Sequence, residues 1–131
     1  MTDYTIFTQE QRTNKHKDIC ERIIQTYFDK HFDYGPSFEK SFHKFGLIAP
    51  FVRIEDKLSR LESLMNIGEE NKRVNESIKD TVLDAANYLI MLAVELELLE
   101  EKDLINPSVN ESSIGYVDLA SLSVSGNLNE T

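Results

Sequence analysis

The sequence predicts an all-α protein, a compact four-helix bundle followed by a C-terminal arm that is poorly structured or a short strand. Three observations lead there. Glycine and proline are sparse, five and three in 131 residues, which suits helices better than a turn-rich β fold. Apolar residues recur at helical spacing in four separate segments. Each segment begins or ends at a recognisable cap or breaker. The length suffices for one domain with a modest core, and the helical pattern fills residues 1–105, leaving 106–131 as the arm.

The first helix is expected over 8–31. Thr8 followed by Gln11 reads as a capping box, and Ile19, Cys20, Ile23, Tyr27 and Phe28 follow at helical spacing. Cys20 is the single cysteine, so it has no disulfide partner within the chain, and its place in the pattern predicts a core position. Gly35 and Pro36 end that helix. Residues 37–46 form a short second helix with Phe38, Phe42 and Phe45 on one face, Gly46 as its cap and His43 on the surface. Pro50 opens a third helix over 50–66, with an apolar stripe of Phe51, Ile54, Leu58, Leu61 and Met65. After a polar loop, Asn75 caps a fourth helix that runs to about Lys102. It is apolar on most sides and should be central. Residues 114–124 read as a strand or packed arm.

Composition narrows the function classes. A net charge of -9 argues against general nucleic-acid binding, because phosphate backbones reward clustered Lys and Arg. The longest apolar run, Tyr88 to Val94, is too short to cross a membrane, and no signal peptide is visible, so the expected setting is the cytoplasm. Phosphate-loop, HExxH and paired CxxC motifs are absent, and with three histidines Ser-His chemistry is not indicated.

Two charged rows stand out. On the fourth helix Glu76, Asp80, Asp84 and Asn87 fall within roughly 80° of one another at about 100° per residue. Like charges at this spacing repel, and a divalent cation such as Mg²⁺, which takes oxygen ligands, would relieve them. On the third helix Arg53, Asp56, Lys57 and Arg60 lie opposite the apolar stripe. Arginine there suits phosphate recognition. If the rows met, they would offer acid for a metal and base for phosphate. The same residues could equally be a structural ion network or solvated faces.

Three segments carry a family resemblance: "DYGPSFEKSFHKFG" (33–46), "RIEDKLSRLESL" (53–64) and "ESIKDTVLDAANYLIM" (76–91). Together they resemble the nucleotide modification associated domain 1 family of phages and bacteria, over about residues 10–100. That family is similar to the all-α nucleoside triphosphate pyrophosphatases, the MazG-like and all-α dUTPase-type enzymes. These hold Mg²⁺ on neighbouring helices and release a monophosphate and pyrophosphate. Where those enzymes carry E-x-x-E and E-x-x-D, this chain has Arg53-x-x-Asp56 and Glu76, Asp80 and Asp84 at four-residue spacing.

The resemblance implies a nucleotide-directed protein in a phage-infected or bacterial cell. Its leading form is a Mg²⁺-dependent pyrophosphohydrolase acting on a modified nucleotide. The alternative is a protein that sequesters a nucleotide or nucleotide signal without cleaving it. In the enzyme reading Asp56, Glu76, Asp80 and Asp84 hold the metal, and Lys57, Arg53 and Arg60 neutralise the phosphates. Tyr34, Phe38, Asn87 and Tyr88 contact the nucleotide. The expected partners are a small nucleotide and a second copy of the chain in a homodimer or larger assembly, with no nucleic acid and no membrane.

Overall fold

The computed structural model describes residues 2–71, 73 and 77–104. Among them the chain is all-α, as expected: α1 (Gln9–Tyr34), α2 (Ser37–Phe45), α3 (Ile48–Ile67) and α4 (Ile78–Glu101), with single 3-10 turns at Tyr4–Ile6 and Glu69–Asn71. The expected strand or arm at 114–124, and the whole segment 106–131, lie outside the described residues. No described helix is long and apolar enough to cross a membrane. The chain divides into two compact units, one through Gly35 and one from Pro36 onward.

The first unit is α1 with the turn before it. Thr8 closes the helix start reciprocally: its hydroxyl accepts from the Gln11 N–H, and the Gln11 side chain accepts from the Thr8 N–H at 2.8 Å. The Arg12 guanidinium donates to the carbonyls of Phe7 and Tyr4, both at 2.6 Å, and so ties the N-terminal turn down. Asp3 accepts from the Thr5 N–H and hydroxyl, and those bonds hold its carboxyl below the usual value. Cys20 departs from the sequence expectation. It is exposed, with its sulfur 3.6 Å from His16 Nδ1 one turn back. The helical pattern that placed it in a core is shared by neighbouring residues, and Ile23 is the residue of α1 that is buried.

The second unit is α2, α3 and α4. α2 ends at Gly46, whose φ of 84° lies in the left-handed region that a side chain disfavours; its N–H returns to the Phe42 carbonyl at 2.8 Å. Phe42 is fully buried and forms a core with Leu99, against which Leu47, Leu92 and Leu96 pack. Phe38 is buried as well, but Phe45 is half exposed, so the expected phenylalanine face splits: two rings enter the core and the third lies beside the Lys44 ammonium. α3 accommodates Pro50 in its first turn, where the missing N–H costs no helical bond.

The third-helix stripe is placed differently from its expectation. The side that packs within the unit carries Pro50, Arg53, Lys57 and Leu64, while Phe51, Leu58 and Met65 are about half exposed. Ile54 and Leu61 of the expected stripe are partly buried, so the stripe is right along one edge; it omits Arg53 and Lys57 because a packed side can be built partly from long basic side chains whose stems are apolar. α4 starts at Ile78 and is capped by Ser77, two residues after the expected Asn75. Thr81 is fully buried there, its hydroxyl reaching back to the Ser77 carbonyl at 3.4 Å.

Candidate functional site

α3 and α4 make the most extensive contact in the second unit. They run antiparallel: Arg53 is level with Tyr88 and Lys57 with Asp84, so four residues forward on one helix are four back on the other. The basic row of α3 and the acidic row of α4 therefore meet at Lys57 and Asp84, on the seam between the two helices.

The seam's best-defined charge contact is Lys57 Nζ to Asp84 Oδ2, at 3.1 Å. Both side chains are largely withdrawn from water, 14% and 31% exposed, so each compensates a charge that would be costly alone. One turn toward the α3 N-terminus, the Arg53 guanidinium carbon lies 5.7 Å from the Phe38 ring centre and 5.9 Å from that of Tyr88. The two rings stack at 5.9 Å with only 9° between their planes. Arg53 Nη2 also donates to Ser41 Oγ at 3.3 Å, and that hydroxyl donates to the Ser37 carbonyl at 2.6 Å. Arg53 is thus held in place by α2 and α4 together, with a planar cation beside a phenol ring.

The other predicted site residues fall around this seam with different duties. Asp56 and Arg60 pair with each other at 3.4 Å along α3, both more than half exposed, in an ion pair that adds little stability. Asp80 completes the α4 cap: its Oδ2 accepts from the Ser77 N–H at 3.2 Å, and the Ser77 hydroxyl accepts from the Asp80 N–H at 3.0 Å. A carboxylate in the first turn is also favoured by the helix dipole, so neutralising it costs about 0.3–1 kcal/mol and does not simply relieve repulsion. Asn87 is buried. Phe38 is buried too, so its ring supports Arg53 and Tyr88; the half-buried ring of the pair is Tyr88. Tyr34 is exposed at the end of α1, in the first unit. Glu76 lies outside the described residues.

Two contributors were missed by sequence reasoning. Ser41, which anchors Arg53, had no signal, because nothing in the sequence tells which α2 residue faces α3. His43 is exposed, as expected, and sequence reasoning missed only its partner: its Nε2 lies 2.8 Å from Glu95 Oε1 and joins α2 to α4. The signal was available: Glu95 closes an apolar run on a packed helix and so needs a partner.

For a metal ion, the donor chemistry can be tested directly. Among the described residues no group of three or more His, Cys, Asp or Glu side chains is gathered. Mg²⁺ commonly takes only one or two carboxylates and completes its shell with waters and phosphates. Asp84, with Asp80 one turn before it on α4, would meet that lesser demand, and Lys57 is a cation that Asp84 faces in the protein alone.

The family follows from a comparison with known families. A model described as nucleotide modification associated domain 1 matches residues 30–96, half of the chain. The chain belongs to this family. The matched span contains α2, α3 and most of α4, and so every residue of the Arg53–Lys57–Asp84–Tyr88 seam. Comparison with curated proteins and with solved structures gives no match.

Proposed function

We propose that a nucleotide binds with its phosphates at the α3–α4 seam, and that the reaction there is Mg²⁺-dependent pyrophosphohydrolysis of a nucleoside triphosphate, most fittingly a modified one. The observation that carries this reading is the ion pair across the seam, with Lys57 Nζ 3.1 Å from Asp84 Oδ2 and Arg53 one turn away. Support comes from the family's description as nucleotide modification associated; the pyrophosphatase chemistry rests on the sequence resemblance alone.

The chain's own groups divide the work. Arg53 and Lys57 bind the phosphate oxygens and neutralise charge that grows in the transition state, with Arg60 a further turn along. Tyr88, steadied by Phe38 and Arg53, offers a ring face to a base or sugar, and Asn87 is a further contact to the nucleotide. Asp84 and Asp80, with Asp56 and Glu76, are the carboxylates that would hold Mg²⁺. When bound there, Mg²⁺ would supply polarisation of the phosphoryl group and a more acidic attacking water.

A second reading, binding without cleavage, is favoured by one specific feature. Asp84 is already neutralised by Lys57, and α3 carries Arg53 and Asp56 where the pyrophosphatases carry two acids. One assay separates the two. The protein is incubated with canonical and modified nucleoside triphosphates, with Mg²⁺ or with EDTA, and products are resolved by chromatography. Monophosphate and pyrophosphate formed only with Mg²⁺, and lost in Asp84→Asn, is the expected result. A rise in melting temperature with nucleotide but no product would establish the binding protein instead. Neither product nor stabilisation with any nucleotide would overturn both readings.

A further inference from the structure

The two bases of the seam are held in different ways. Arg53 is fixed. Its guanidinium lies beside the Phe38 and Tyr88 rings and donates to Ser41 Oγ, and among the described residues no carboxylate pairs with it. Lys57 is engaged. Its side chain is only 14% exposed, and its ammonium lies 3.1 Å from Asp84 Oδ2. One base therefore stands ready for an anion, and the other already holds one. Lysine is also the base better suited to change partner, being a point charge on a flexible stem, whereas a guanidinium beside aromatic rings is tied to their geometry.

Opening the pair for one ligand alone is unfavourable. A phosphate that draws Lys57 away leaves the Asp84 carboxylate, about two-thirds withdrawn from water, beside a polyanion and without its ammonium. A divalent cation that draws Asp84 away leaves the ammonium, withdrawn further still, beside a dication. When both arrive together the charges alternate: carboxylate, cation, phosphate, ammonium. One contact between opposite charges is then exchanged for three, and neither withdrawn group faces a like charge.

We propose that the Lys57–Asp84 pair is a latch that couples two ligands, so that a divalent cation and the phosphates of a nucleotide each bind weakly alone and strongly together. This rests on the nucleotide reading above and adds to it the species that opens the site, the cation–nucleotide complex. Arg53, which has no carboxylate to leave, meets the phosphates first, and Lys57 joins it once the cation has taken Asp84. The factor by which the cation raises nucleotide affinity must equal the factor by which the nucleotide raises cation affinity. In the protein alone the same pair joins α3 to α4, so the seam is held before either ligand arrives.

Isothermal titration calorimetry on the full chain reads the coupling. The probes are inorganic tripolyphosphate, which has no base, and canonical and base-modified α,β-methylene nucleoside triphosphates, which resist cleavage. Each is titrated in Mg²⁺ and in EDTA. Wild type should bind at least one probe, and at least about tenfold more tightly in Mg²⁺. Asp84→Asn frees Lys57 without a cation. Its affinity in EDTA should rise by about tenfold, and its preference for Mg²⁺ should shrink to about twofold or less. Glu55→Gln, at an exposed position of α3, makes the same change in net charge and should keep the wild-type ratio. A second readout uses no nucleotide. Millimolar Mg²⁺ alone should leave the melting temperature of wild type almost unchanged and raise that of Lys57→Met, where Asp84 is open to a cation.

Circular dichroism checks each variant for helix content, and Asp84→Ser or Lys57→Gln replaces any that loses it. Binding by wild type that is equal in Mg²⁺ and EDTA would overturn the latch and leave the nucleotide reading standing. So would a Mg²⁺ preference that survives the loss of the Asp84 carboxylate, or Mg²⁺ alone that stabilises wild type as much as Lys57→Met. No binding of any probe in either condition would overturn the nucleotide reading and the latch with it.

Discussion

Phe42→Ala is expected to destabilise the second unit by about 3–5 kcal/mol, the usual cost of removing a buried aromatic ring. Phe42 has no exposed surface, and Leu47, Leu92, Leu96 and Leu99 pack around the place it fills. Those neighbours come from α4 and from the turn between α2 and α3, so the loss loosens α2 from both longer helices. A small domain is stable by only about 5–15 kcal/mol, so the variant should melt far below wild type. Urea unfolding followed by far-UV circular dichroism measures the change. Phe45→Ala, three residues on and half exposed, is the control and should cost less than about 1 kcal/mol.

Lys57→Met is expected to cost about 1–3 kcal/mol of stability and to remove the charge that the seam offers to phosphate. Methionine keeps the apolar stem that packs against α4, so the loss isolates the ammonium. It leaves the Asp84 carboxylate, about two-thirds withdrawn from water, without the contact at 3.1 Å. Asp84→Asn in the same chain should recover part of that cost. A thermodynamic cycle over wild type, the two single variants and the double variant should give a coupling of about 0.5–3 kcal/mol. A coupling near zero would mean that the pair is screened by water and that the seam is wetter than its burial implies.

Most of the fold was legible because its signals are local. The capping box at Thr8 and Gln11, the phenylalanine spacing of α2 and the Gly46 stop all act within one or two turns, and each element follows from them. The start of α4 slipped from Asn75 to Ser77, since both residues are good caps and only Ser77 has an acid three residues on, at Asp80, to close the box. Asp80 shows why a row on a helical wheel overstates a site. The wheel aligned it with Asp84, but one carboxylate serves its own helix end and the other serves a different helix.

The pairings across helices were less legible. Which α3 residues meet α4 depends on rotation about the helix axis. Apolar content pointed to Phe51, Ile54, Leu58, Leu61 and Met65; Ile54 and Leu61 are partly buried, but Phe51, Leu58 and Met65 are exposed and Arg53 and Lys57 pack. A long basic side chain with a carboxylate or ring opposite can enter a seam, and neither partner shows that choice alone. The Arg53–Phe38–Tyr88 cluster needed three helices in place before it could be recognised.

The central claim is that a nucleotide binds at the α3–α4 seam, and isothermal titration calorimetry tests it most directly. Wild type and Arg53→Gln are titrated with canonical and modified nucleoside triphosphates, after circular dichroism shows equal helix content. Saturable binding of at least one nucleotide to wild type, weakened at least about tenfold in Arg53→Gln, is the predicted result. No binding by wild type across the panel, or equal affinity in the two proteins, would contradict it.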